Sequence, residues 1–194
     1  MHAGVRMDHV YSTRFDFALR FSAEKHDGQR RKGTRTPYVV HPVAVAFLLR
    51  SYGYSEDVQI AGLLHDVVED TDCAPAELRE SFGDGVADTV GWCTEQDKGL
   101  PWEERKAAMV ARIHRAPREA KAVATADKAH NLSTMLDGWE SEGEAFWGRF
   151  SRGREAQLQY YQNMLKALED GFEEPVLEEL RLAVARFEER TGEG

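Results

Sequence analysis

The sequence predicts an all-helical bundle with irregular crossings, and three observations predict it. Ala, Glu, Leu and Arg recur while only 6 of 194 residues are proline, a composition that favours helix. Runs of β-branched residues are short and few, and no segment alternates apolar and polar positions long enough for a half-buried strand. A succession of segments, each with its own start or stop signal, then accounts for about eight to ten helices. The chain is 42% hydrophobic, enough for a core of its own. Without an internal repeat or a low-complexity linker, residues 1–194 read as one domain. Its core motifs fall at about 21–136 and its C-terminal helices at about 139–190.

In order, Phe15, Phe17, Ala18, Phe21 and Ala23 fit a first helix that stops near Gly28. The loop from Gly28 to Tyr38 is basic, and Pro37 disfavours helix at Thr36. Pro42 suits the first turn of a second helix, Val43 to Arg50, ended at Gly53. Ser55 caps a third, from Glu56 to about Glu69. A short helix over Pro75 to Ser81 and another from about Asp84 to Cys93 follow. Further helices are expected at Trp102 to His114, Pro117 to Leu136, Glu144 to Phe150, Arg154 to Ala167 and Pro175 to Glu189. The acidic stretch from Glu173 to Glu193 reads as a solvated helix surface with a frayed end.

Composition excludes several roles. No apolar stretch reaches the roughly 20 residues needed to span a bilayer. The first 20 residues carry Asp8, Arg14 and Asp16 where a secretory signal would be continuously apolar. Cys73 and Cys93 make no disulfide framework, so a reducing cytoplasm is the simplest location. A formal net charge of −9 argues against DNA, RNA or an anionic membrane as partner. Against it stands one basic island, Arg30, Arg31, Lys32 and Arg35, which suggests a small anionic ligand. A homo-oligomer is compatible with the sequence, which does not specify one.

Three separated segments carry ligands for a hard divalent cation: His41, the adjacent His65 and Asp66, and Asp127. On a continuous helix of about 100° per residue, His65, Glu69, Asp66 and Asp70 point near 0°, 40°, 100° and 140°, less than half of one surface. The apolar run Ile60 to Leu64 leads straight into them. Charges crowded at the end of a buried helix cost several kcal/mol unless a metal or partner satisfies them. Two imidazoles and two carboxylates leave about two octahedral positions for water, which suits manganese, and magnesium less well. Such an ion lowers the pKa of bound water and screens phosphoryl oxygens. Glu69 and Asp70 are placed to take the proton, and the sequence leaves open which is the base.

The strings AEKHDGQRRKGTRTPYVVHPVAVAFLL, AGLLHDVVEDT, FGDGVADTVGWCTE and VATADKAHNLSTML, in that order over about residues 21–136, resemble the HD-domain metal-dependent phosphohydrolases. The closer likeness is to the hydrolase domain of RelA/SpoT homologues, among them the stand-alone small alarmone hydrolases. GEAFWGRFSRGREAQLQYYQNMLKAL resembles the C-terminal helices of the bacterial stand-alone members. The resemblance implies an HD-type helical fold and one manganese ion, or another divalent ion, on His41, His65, Asp66 and Asp127. It implies that Glu69 and Asp70 act on the attacking water. The substrate would be guanosine tetra- or pentaphosphate, losing its 3′-diphosphate to give GDP or GTP plus pyrophosphate. Arg31 and Lys32 match the pair that flanks the nucleotide, Asn131 and Thr134 match pocket positions, and Tyr160 is the better candidate of the Tyr160–Tyr161 pair for a substrate contact. Lys128 stands where Arg is commoner, and Ala129 replaces a larger apolar residue.

Two other readings share these residues. One keeps the site and changes the substrate to another phosphorylated nucleotide, such as the 2′-phosphate of NADPH, a 3′-phosphonucleotide or a nucleoside monophosphate. The other is a nucleotide-sensing module without turnover, although degenerate domains of that kind usually lose a ligand or the acidic pair. The remaining conspicuous residues read as structural. Trp92, Trp102, Trp139 and Trp147 are packing residues, of which Trp139 and Trp147 come closest to pocket walls. His26 orients the basic loop, His114 and His130 sit on helices away from ligation, and the two cysteines are inert.

Overall fold

The computed structural model describes residues 12–192; Asp8 and Glu193, used above, lie outside them. Among the described residues the chain forms ten α-helices and one 3-10 segment, and its only bridge pairing is an isolated antiparallel one between Arg30 and Pro37. The helices are α1 Thr13–Lys25, α2 Val40–Ser51, α3 Glu56–Leu64, α4 Val67–Asp70, α5 Pro75–Phe82 and α6 Asp84–Cys93. After them come α7 Trp102–His114, α8 Arg118–Glu142, the 3-10 segment Gly143–Arg149, α9 Arg154–Glu169 and α10 Leu177–Gly192. No described helix is long and apolar enough to cross a membrane.

The bundle is organised around α3, which packs against α1, α2, α6 and α8. Val58 and every residue from Ile60 to Leu64 are buried, as expected of a helix with no solvent face. Gly62 lets α2 approach: a Cβ there would lie 2.6 Å from Leu49 Cδ1. The first three turns of α8 use the same device. Ala120, Ala122, Ala124 and Ala126 are buried, and these small side chains let α8 lie against α2, α3 and α6. Both helices therefore reach the centre of the molecule, each carrying a polar group into it.

The helix boundaries differ from the sequence expectation where polar chemistry intervenes. α2 begins at Val40, three residues early, so Pro42 occupies its third position, where the missing N–H is one of those with no intrahelical partner. The predicted third helix is two, α3 and α4, separated at His65–Asp66. The Gly62 carbonyl, which a continuous helix would pair with the Asp66 N–H, takes His65 Nδ1 at 2.8 Å. α8 runs on past Leu136 because Gly138 is covered by the Phe146 ring, and it stops at Gly143, whose φ of +64° suits glycine alone. The Glu144–Phe150 segment is 3-10 rather than α.

Candidate active site

Four donor atoms meet where α2, the α3–α4 turn and α8 converge. His41 Nε2 lies 3.2 Å from His65 Nε2. Asp127 Oδ1 is 3.1 Å from His41 Nε2 and 3.5 Å from His65 Nε2. Asp66 Oδ2 is 3.5 Å and 3.1 Å from the same two atoms. Both imidazoles and Asp127 are buried. The Gly62 carbonyl fixes one tautomer, since His65 Nδ1 must donate to it at 2.8 Å. His41 Nδ1 faces His130 Nδ1 at 2.8 Å. With His41 as the donor of that pair, both Nε2 lone pairs and the two carboxylates face the same space.

That arrangement needs a positive charge at its centre. Two donors at right angles on an ion with bonds of about 2.1–2.4 Å stand about 3.0–3.4 Å apart, the spacing of a hard divalent cation. The separations seen here, 3.1–3.5 Å, fit it, and so do the nitrogen and oxygen donors. A proton is the alternative occupant. Burial opposes a charged His65, but Asp66 and Asp127 outweigh it and raise its pKa well above the ordinary value. Burial lowers the pKa of His41. Burial also opposes charge on Asp66 and Asp127, yet the imidazoles on the first and Lys128 on the second hold both in the carboxylate form. The same groups that favour a protonated His65 would also suit a metal ion, and the two would compete.

The neighbours fix these donors. Lys128 Nζ bonds Asp127 Oδ2, and Asn131 Nδ2 donates to Asp127 Oδ1. The Tyr38 hydroxyl lies 2.6 Å from Asp66 Oδ2 and 3.2 Å from Asp70 Oδ2, and its ring stacks on His26. His130 is half-buried, and burial together with nearby His41 lowers its pKa to about 4. It therefore stays neutral and can accept the His41 proton.

Glu69 and Asp70 sit on α4 just beyond the donors, in different surroundings. Glu69 Oε2 accepts the Glu95 N–H at 2.8 Å, and burial raises the pKa of Glu69. Asp70 Oδ1 is 3.0 Å from Lys98 Nζ, which also donates to the Glu69 carbonyl at 2.6 Å. Glu69 is the more enclosed member of the pair, its side chain 21% exposed against 36% for Asp70.

A cleft of about 800 Å³ opens beside His41. Arg31, Lys32, Asn131, Thr134 and Tyr160, all expected from the sequence, line it together with Arg30, Arg105, Lys106, Lys128 and Arg149. Arg31 Nη2 donates to Asn131 Oδ1 at 2.6 Å and lies 3.5 Å from Thr134 Oγ1. Lys32 Nζ stands 4.9 Å from the Phe150 ring centre, and the Tyr160 hydroxyl is buried without a partner. On an acidic chain this is a concentrated positive surface.

The sequence reading missed Tyr38, His130, Lys98, Arg105 and Lys106. Tyr38 and His130 had a signal, since each lies three residues, about one helical turn, from a donor; Lys98, Arg105 and Lys106 had none. Of the tryptophans read as packing residues, Trp139 and Trp147 are so, buried against each other and Phe187, while Trp102 also reaches the cleft.

The fold and the site define an all-helical domain with a group that could hold a metal ion, His41, His65 and Asp127, beside a cleft lined by cationic side chains. The chain belongs to the HD-domain family, whose model matches residues 18–145. It is 41% identical over 131 residues to the guanosine-3′,5′-bis(diphosphate) 3′-pyrophosphohydrolase MESH1 of Danio rerio, covering 64% of this chain and 72% of that one. The Homo sapiens MESH1 is 40% identical over 129 residues, with 63% and 72% covered. Among solved structures, a metazoan orthologue of SpoT that hydrolyses ppGpp superposes with a TM-score of 0.77 at 29% identity, covering 95% of this chain and 99% of that one. The crystal structure of lmo0812 from Listeria monocytogenes EGD-e gives 0.69 at 41% identity, over 74% and 96%.

Proposed function

We propose that this chain hydrolyses the 3′-diphosphate of guanosine tetra- and pentaphosphate, releasing pyrophosphate and GDP or GTP. The observation that carries the reading is the convergence of His41, His65, Asp66 and Asp127 beside Glu69, Asp70 and a cationic cleft. The names of the MESH1 relatives supply the substrate. His41, His65, Asp66 and Asp127 would hold one ion, which we take to be manganese. When bound, it polarises water and screens the phosphoryl oxygens.

The chain's own groups do the rest. Glu69, whose pKa burial raises, takes a proton from the attacking water as the water oxygen bonds to the phosphorus that carries the 3′-oxygen. The bond between that phosphorus and the 3′-oxygen breaks, and the oxygen leaves with the electron pair and takes up a proton. Lys98 donates to Asp70 and orients it towards the water. Arg31 is held by Asn131 and Thr134 so that its plane can lie against the base or fork onto the 5′-phosphates. Lys32 neutralises phosphate charge, and Tyr160 closes the far wall. We read the whole chain as one domain working in a reducing cytoplasm. There Cys73 and Cys93, pushed up by burial to about 11 and about 12, stay as thiols.

The test is a substrate panel with added manganese: guanosine tetraphosphate, pentaphosphate, NADPH, a 3′-phosphonucleotide and nucleoside monophosphates, with products identified. Pyrophosphate from the first two supports the reading. Orthophosphate from one of the others, with no pyrophosphate, replaces it with another phosphohydrolase.

A further inference from the structure

We propose that Arg105 and Lys106, held side by side on the buried carboxylate of Glu95, receive the outer phosphate of the diphosphate that is cut off. The inference rests on the hydrolase reading and adds a second anion-binding arm to the cleft. Glu95 follows α6, and its side chain is only 6% exposed. It accepts from Arg105 Nη1 and from Lys106 Nζ at 3.0 Å. Two cations on one carboxylate leave one positive charge over, and both side chains line the cleft together with His41 and Lys128. Arg105 Nε is buried with no partner, so the guanidinium is not fully satisfied within the protein. Lys106 Nζ is steered over the Tyr160 ring at 5.3 Å.

The same residue reaches the chemistry through its backbone, because the Glu95 N–H is the donor on Glu69 Oε2. The cleft therefore has two arms, each tied to a different part of the centre. Arg31 is linked through Asn131 to Asp127, and Arg105 and Lys106 are linked through Glu95 to Glu69. In-line displacement puts the attacking water and the leaving 3′-oxygen on opposite sides of the phosphorus. Water activated at Glu69 therefore sends the nucleoside towards Arg31 and leaves the α7 cations to the outer phosphate. In this account Glu95 is a positioning residue, acting through the two cations and through Glu69.

The experiment is calorimetric titration of the protein with inorganic pyrophosphate, and separately with GDP, keeping manganese in excess over pyrophosphate. Arg105→Gln and Lys106→Gln should each weaken pyrophosphate about tenfold or more, as for loss of a charge-assisted bond, and leave GDP within about twofold. Arg105→Lys, which keeps the charge, should recover part of the loss. Glu95→Gln should weaken pyrophosphate and raise KM for guanosine tetraphosphate, with kcat falling too, whereas a packing defect alone would lower Tm without separating pyrophosphate from GDP. Weakened GDP with unchanged pyrophosphate, unchanged binding of both, or a wild-type protein that does not bind pyrophosphate would each overturn the proposal. Pyrophosphate binding that depends on Arg105 and Lys106, in a protein that never cleaves guanosine tetraphosphate, would sink the hydrolase reading and leave the anion site standing.

Discussion

Replacing His130 with Ala removes no donor from the metal centre, yet it should weaken metal binding strongly. His130 Nδ1 lies 2.8 Å from His41 Nδ1, and His130 lines the cleft, so in the variant only cleft water can stand in for its ring. The variant removes the protein acceptor of the His41 Nδ1–H, a loss of up to about 1–3 kcal/mol that water entering from the cleft reduces. The alternative, moving the proton to Nε2, blocks the lone pair that faces the centre. Loss of a partner to a metal-bound histidine typically costs about 10- to 100-fold in affinity, the same range reached by another route. The assay is calorimetric titration with manganese of wild type, His130→Ala and His130→Asn. The account predicts about 10- to 100-fold weaker binding at unchanged stoichiometry for Ala, with much of the loss recovered by Asn, whose amide oxygen accepts. Ala binding within about twofold of wild type would refute the idea that His130 sets the tautomer of His41.

Other consequences follow from the same geometry. Glu69→Gln keeps the donors and removes the base, so manganese should still bind while kcat falls about 100-fold or more; turnover near the wild-type value would clear Glu69 of that role. Metal and a proton compete for the centre, and Asp66 and Asp127 favour the protonated form of His65, raising its pKa, when no metal is bound. Affinity should therefore fall as pH is lowered, by up to about tenfold per unit below the His65 pKa, and a Kd independent of pH between 6 and 8 would contradict this. Leu63 is fully buried on the helix that carries His65 into the centre. Leu63→Ala should cost about 2–5 kcal/mol in urea unfolding, and a loss below about 1 kcal/mol would mean α3 is not the packing centre described.

The all-helical architecture was legible because helix period, caps and the absence of alternation agree along the chain. The four candidate donors were legible as residue types in order, His41, His65–Asp66 and Asp127, although only the structure brings each carboxylate within 3.5 Å of both imidazoles. What stayed hidden depends on contacts distant in sequence. The break at His65 arises from a side chain competing for the Gly62 carbonyl, which no propensity records. Lys98 and Glu95 reach Glu69 across 29 and 26 positions, so nothing beside the acidic pair announces them. Trp139 and Trp147 read as packing residues and are buried as such, but closeness to Asp127 along the chain does not bring them to the cleft wall. α8 turns Trp139 towards Phe187 of α10 instead, and α7 brings in Trp102.

The central claim is that four side chains from three separate segments grip one divalent ion, and it is tested most directly by counting metal. Purified protein dialysed against manganese should retain one ion per chain, and Asp127→Ala, folded by circular dichroism, should retain none and cleave no guanosine tetraphosphate. A wild-type chain that takes up no divalent ion, or an Asp127→Ala chain that binds manganese as tightly as wild type, would contradict it.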